Sequence, residues 1–198
     1  MFVARKASHG ALYSDNFNRP NGNVGNGWVM ANSANPTIVS NAIGQNAVNN
    51  AGDMWALWPT QSLSDSMFSQ CTIVGSAGGS SSAIVLGLTI NANANRTNHV
   101  TAYIGQNTVY ICANTSAASS AGNSLKSASY TASAAQVARF SSSSGTYTLT
   151  INGSAVLSWT DPGGTVTTGA GYRYCGWSTS CSGTNQSFAL DNWSGGDN

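Results

Sequence analysis

The chain has 198 residues, of which 7% are charged, and its six acidic residues are all Asp, against a typical charged share of about 25%. Ser, Asn, Thr and Gly together fill 92 positions, so solubility rests on neutral polar groups. Seven scattered Lys and Arg with a net charge of +1 exclude a basic nucleic-acid-binding stripe, the scarcity of Glu, Lys and Leu excludes a coiled coil or helix bundle, and no apolar run is long enough to insert in a membrane.

Residues 1–11 carry Arg5, Lys6 and His9 with little apolar pattern, and are expected to form an N-terminal arm outside the folded domain at 12–198. The arm lacks the apolar core of a signal peptide, which predicts synthesis without a secretion signal. Beyond it, period-2 alternation dominates. Strands are expected at 12–17, 27–31, 37–43, 54–58 and 70–75. In residues 83–90, Ile84, Leu86, Leu88 and Ile90 share one face. Residues 99–104 and 108–112 flank Gly105-Gln106-Asn107, a three-residue hairpin loop. Within the Ala/Ser-rich stretch 113–145, residues 132–140 read as a loop leading into a strand at 136–140. Residues 146–151 alternate Thr with Tyr147, Leu149 and Ile151, meet the hairpin dipeptide Asn152-Gly153 and return as 155–160. Two last strands fall at 172–177 and 187–193. A dozen short strands joined by Gly, Asn and Ser turns point to an all-β, two-sheet antiparallel sandwich.

Cys71, Cys112, Cys175 and Cys181 form no zinc-type spacing. Without a secretion signal they are expected to be buried free thiols; Cys175 with Cys181, or Cys71 with Cys112 across a sheet, are the alternative pairings.

The opening Asp15-Asn16-Phe17-Asn18-Arg19-Pro20-Asn21-Gly22, continuing to Gly25-Asn26-Gly27-Trp28, and the closing Phe188-Ala189-Leu190-Asp191-Asn192-Trp193-Ser194 frame Tyr147–Gly153 and a Gly-Ala-Gly turn before Tyr172. In that order they resemble the laminin-G-like, concanavalin-A-like jelly-roll domains of bacterial surface proteins and of minor tail and other virion proteins of actinobacterial phages. The resemblance implies a jelly-roll β-sandwich whose first and last strands lie side by side. Phe17 would then pair across to the face of Phe188 and Leu190, Trp28 would fill the core or plug one end, and Asn16, Asn18 and Asn192 would satisfy turn backbone.

Jelly-roll glucanases, which the fold resembles, place two Glu on one strand, and this chain has none. Neither His9 nor His99 sits in a triad pattern, and no G-x-S-x-G elbow occurs. No enzyme activity or cofactor is therefore expected and no metal ligands are singled out; the six scattered Asp leave a calcium site unassigned. A glycan-binding site would stack a sugar on an aromatic ring. Trp55 and Trp58, three apart on a strand, point to opposite faces, and Tyr172 and Tyr174 share one face while Trp177 lies on the other. These five are the candidate glycan contacts. The weakly charged surface suits a protein packed against neighbours, with Arg5 and Lys6 as candidate docking residues. The expected function is a non-enzymatic virion surface protein, a minor tail protein contributing to host attachment, with a capsid decoration protein and a carbohydrate-binding lectin-like module as alternatives. Its expected partners are other virion proteins, further copies of itself and host cell-surface glycans, and its expected location is the virion.

Overall fold

The computed structural model describes residues 10–31, 37–44, 52–77, 85–115, 123–182 and 185–198. The described residues form two antiparallel sheets and no α-helix. The first sheet holds β1 (Leu12–Asp15), β2 (Gly22–Asn23), β4 (Thr37–Val39), β5 (Ala42–Gly44), β7 (Met67–Val74), β12 (Val137–Ser143), β13 (Thr146–Ile151), β14 (Ser154–Thr160) and β17 (Ala189–Asp197). The second holds β3 (Val29–Ala31), β6 (Gly52–Leu57), β8 (Leu86–Ala92), β9 (His99–Ile104), β10 (Thr108–Asn114), β11 (Ser124–Ser129), β15 (Tyr174–Ser182) and β16 (Asn185–Gln186). Spatial order is β14-β13-β12-β7-β17-β5-β4-β2 in the first sheet, with β1 also on β17, and β11-β10-β9-β8-β15-β6-β3 in the second. Neighbours far apart in sequence, such as β7 with β17 and β8 with β15, make this a jelly-roll β-sandwich.

The alternating apolar positions close the space between the sheets. Leu86, Leu88 and Ile90 face inward beside Ala102, Ile104, Val109 and Ile111, and meet Cys71, Ile73, Phe140, Leu149 and Leu190 from the first sheet. Burial of each large side chain contributes roughly 1.5–3 kcal/mol, ample for a chain that uses no bridge. Cys71, Cys112 and Cys175 are free and buried. Cys71 belongs to the inter-sheet core, whereas Cys112 packs with Val85 and Tyr103 in a separate cluster, so neither alternative pairing is made. Burial pushes the thiols of Cys112 and Cys175 up to about 12, and as neutral thiols they are poor nucleophiles.

Turn chemistry sets the registers. Asn152 and Gly153 both take positive φ, 49° and 79°, as a two-residue primed turn requires. The stretch expected as one strand at 37–43 is instead the hairpin β4–β5, turned at Ser40 and Asn41 with φ of 52° and 63°. β11 went unrecognised because Ser, Ala and Lys carry little strand signal; it is held by pairing with β10.

β1 pairs with β17, Leu12 opposite Gly196 and Asp15 opposite Trp193, which brings the two ends of the domain together. The expected pairing of Phe17 with Phe188 and Leu190 does not occur. The chain turns at Phe17, whose φ is 51°, and its ring packs instead on Trp28 and Trp177. Leu190 is opposite Ile43 and Ile73.

The central strands of the second sheet, β8 and β9, are buried on both faces. Thr89, Thr101, Tyr103 and Ser178, which alternate with core residues, are all 0% exposed. Thr89 and Thr101 share a 2.8 Å hydroxyl contact. A Cβ at Gly87 would lie 2.2 Å from Ser178 Oγ and 2.9 Å from Thr101 Cγ2, so only glycine lets these side chains close over the strand.

Candidate functional site

Two regions collect polar side chains from distant parts of the chain. The first is built from the opening and closing motifs. Asp15 ends β1 and is 5% exposed. Its Oδ1 accepts from Phe17 N at 2.9 Å and Arg19 Nη1 at 2.7 Å; its Oδ2 accepts from Trp28 Nε1 at 2.8 Å, Arg19 Nη2 at 2.9 Å and Asn26 Nδ2 at 3.2 Å. Arg19 turns its Nε and Nη2 onto the Val24 carbonyl as well. Burial works against ionisation of Asp15, but these donors outweigh it and hold the carboxyl at about 2. Asn16 Oδ1 accepts from Asn18 N at 3.1 Å, and the Asp191 carboxylate accepts from the Asn192 backbone and side chain at 2.7 and 2.9 Å. Asp15, Asn16, Arg19, Asn26 and Asn192 border an open depression of about 690 Å³. Its charged groups are saturated by one another, which is the chemistry of a structural lock.

Behind that lock lies an aromatic cluster. Trp28 meets Trp193 edge to face at 4.6 Å and Trp58 at 5.1 Å. Trp58 is stacked between Tyr13 at 5.6 Å and Trp193 at 5.8 Å, so both ring faces are covered. Trp177 is 0% exposed in the core and Trp55 is 1% exposed against Leu57, Ala92 and Tyr174, with Arg96 above its ring at 5.5 Å. Tyr172 and Tyr174 are half-buried. Of the five aromatic candidates, these two tyrosines and the edge of Trp58 keep access to solvent. Arg5 and Lys6 fall outside the described residues.

The second region lies where β8, β9, β10 and β11 meet the loop after β14. A cleft of about 400 Å³ opens there, lined by Asn91, Asn98, Asn114, Asn123, His99, Thr115, Ser124 and Thr165, with Val100, Ala113, Leu125 and Val166 as apolar wall. Tyr174 is opposite Ala92, the neighbour of Asn91, which puts it at the same end of the sandwich. His99 is 2% exposed. Its Nδ1 faces the Arg96 carbonyl at 2.9 Å, which can only accept, so Nδ1 carries the proton and Nε2 accepts from Asn114 Nδ2 at 3.2 Å. Burial, aided by the nearby Arg96 charge, lowers the His99 pKa to about 2; the ring stays neutral throughout the physiological range. Asn91, 1% exposed, donates weakly to the Asp65 carbonyl at 3.4 Å and Met67 Sδ at 3.6 Å. Its Oδ1 has no hydrogen-bond partner. The side-chain amides of Asn98 and Asn123 make no hydrogen bond among the described residues.

The outer wall of this cleft is a glycine-rich loop folded on Asp161. The Asp161 carboxylate accepts from Gly163 N at 3.0 Å, Thr165 N at 3.2 Å and Val166 N at 3.0 Å, setting Thr165 and Val166 against the cleft. Burial opposes its ionisation, and the backbone donors outweigh it, so its pKa is lowered. Sequence reading did not single out this cleft, because its amides flank two separate connections, β8 to β9 and β10 to β11, and chain order gives no cue that they meet. Among the described residues, no cluster of three or more His, Cys, Asp or Glu is placed to hold a metal ion.

Neither the models of known protein families nor the curated protein sequences give a match. Solved structures do. A Bacillus subtilis protein described as having a galectin-like fold aligns at a TM-score of 0.63 with 11% identity, over 86% of this chain and 89% of that one. The lectin UEA-II, in complex with galactose, aligns at 0.60 with 11% identity, over 94% and 98%. The carbohydrate-binding module CBM66 of Bacillus subtilis aligns at 0.53 with 9% identity, over 86% and 92%. The chain has the jelly-roll β-sandwich fold of these structures. At such identities the likeness extends to the fold and not to any binding residue.

Proposed function

We propose that this protein is a non-enzymatic carbohydrate-binding module displayed on a virion surface, where it contributes to host attachment as a minor tail protein. The observation that carries the binding role is the amide-lined cleft: neutral hydrogen-bonding groups beside an apolar wall, with an unsatisfied buried carbonyl at Asn91, suit a polar, uncharged ligand such as a sugar. The lectin and carbohydrate-binding neighbours support the same reading. Tyr174, opposite Ala92, would extend such a site, with Tyr172 two residues before it.

Four of the six carboxylates are unsuited to the general-acid step of glycoside hydrolysis. That reaction needs one protonated carboxyl as general acid, whereas Asp15, Asp65, Asp161 and Asp197 are all held below the ordinary range. For Asp65 the Arg173 partner is the main cause.

A glycan array with the purified protein tests the binding role. Binding is expected, and the double variant Asn98→Ala/Asn123→Ala is expected to lose at least tenfold in affinity while its thermal midpoint holds. A blank array would remove the carbohydrate reading.

The virion placement rests on the motifs that begin at Asp15 and end at Ser194. Immunogold labelling of purified particles tests it: label at the tail tip supports attachment, label over the head supports a capsid decoration protein, and unlabelled particles overturn both. Docking to other virion proteins, or to further copies of this chain, would use residues 1–11 with Arg5 and Lys6. Normal incorporation of a chain lacking them would refute that part.

A further inference from the structure

The chemistry of the cleft singles out one substituent, and this step rests on the carbohydrate reading above. We infer that the cleft selects sugars carrying an acetamido group over those with a hydroxyl at the same carbon. An acetamido group presents an N–H donor, a C=O acceptor and a methyl group within a few ångströms. The cleft presents the complement of each. Asn91 Oδ1, buried in its wall, is an acceptor without a donor. The Asn98 and Asn123 amides at its mouth are donors with no acceptor among the described residues. Leu125 and Val166, beside them, supply an apolar surface for the methyl.

No charged side chain lines the cleft, and His99 is neutral with both ring nitrogens engaged. A free amine would therefore meet no carboxylate in the lining and would enter at a desolvation cost that a neutral amide avoids. A hydroxyl in place of the acetamido group can donate to Asn91, but it leaves the apolar wall uncovered and cannot reach both ends of the site. Buried groups built for a partner discriminate against analogues that leave them unpaired.

Isothermal titration with matched oligosaccharides tests this. Chitotriose is compared with cellotriose and with the fully de-acetylated glucosamine trimer, and N-acetylgalactosamine with galactose. The acetamido member of each pair is expected to bind about tenfold or more tightly. In Asn98→Ala/Asn123→Ala and, separately, Leu125→Ser, that preference is expected to fall to within about threefold. Leu125 is half-buried, so its variant is checked by thermal midpoint. Equal affinity for both members of a pair, with binding intact, overturns the acetamido inference and leaves the carbohydrate reading standing. A protein that binds hydroxyl sugars but none of the acetamido members does the same. Silence on these pairs and on a full array overturns both.

Discussion

The motif corner around Asp15 and the cleft around Asn91 are both polar, both assembled from residues far apart in sequence, and both bordered by Asn-rich turns. They differ in what their polar atoms face. At Asp15 five donors converge on one carboxylate, and the arrangement ties β1 to the 17–28 turn and to Trp28 of the aromatic cluster. At Asn91 the side-chain carbonyl has no hydrogen-bond partner, and the neighbouring amides of Asn98 and Asn123 have none either, among the described residues. A polar group satisfied inside the fold stabilises it, while one left unsatisfied beside a cleft weakens the fold slightly and is available to a ligand. The conspicuous motif is thus the lock, and the inconspicuous turns carry the proposed site.

That contrast breaks most easily at the lock. Asp15→Ala would leave the Arg19 guanidinium without its partner and strip Trp28 Nε1 and Asn26 of their acceptor; a loss of about 3–5 kcal/mol is expected in urea unfolding. A loss below about 1 kcal/mol would mean that the corner is not the lock described here. The same carboxylate predicts an acid limb. Its pKa is depressed in the folded state to about 2, so its contribution is fully present above the unfolded value near 4 and is lost as pH falls toward 2. The expected change is about 2 kcal/mol between roughly pH 5 and pH 2, read from urea midpoints across that range, and Asp15→Asn should flatten that part of the profile.

At the cleft the expected effects on stability are smaller and those on binding larger. Asp161→Ala removes the acceptor for three backbone N–H groups that lie on an exposed loop, where water replaces it. Stability should change by less than about 1 kcal/mol, while glycan affinity falls several-fold because Thr165 and Val166 lose their placement. An affinity unchanged by this variant would take the loop out of the site. Smallest of all, Asn98→Ala/Asn123→Ala should shift stability by no more than about 0.5 kcal/mol, so any loss of binding reports on the cleft alone.

Much of the sandwich could be read from local pattern. The alternation in 146–151 and the Asn152-Gly153 turn forecast β13, its turn and β14 to within a residue, because side-chain period and positive φ are local properties. The hairpin at 105–107 is equally local, with Gly105 N donating to the Thr108 carbonyl at 2.9 Å. Local pattern failed at 37–44, where two residues without glycine turn the chain, and at β11, whose Ser and Ala have weak preference in either direction. The candidate aromatics fared differently from one another. Period-2 reasoning placed Cys175 and Trp177 on one face and Tyr172 and Tyr174 on the other, and the structure has Cys175 and Trp177 in the core with both tyrosines half-buried. It gave no way to foresee that Trp58 would be sandwiched between Tyr13 and Trp193, two rings more than 40 residues away on either side.

By itself, then, the sequence determined the strand period, several turns and the all-β class, since each depends on a few consecutive residues and their steric preferences. It also ruled out a two-Glu hydrolytic site by composition alone. Only the tertiary structure decided that Asp15 would be saturated, that the polar outer face of the central strands of the second sheet would be buried, and that Asn91, Asn98, Asn114 and Asn123 would converge. The physical reason is that hydrogen-bond satisfaction and burial are properties of pairs and layers. An Asn in a turn looks the same in sequence whether its amide closes the turn or faces a cleft, and what surrounds it is set by strand pairings more than eighty residues apart, such as β8 with β15 and β1 with β17.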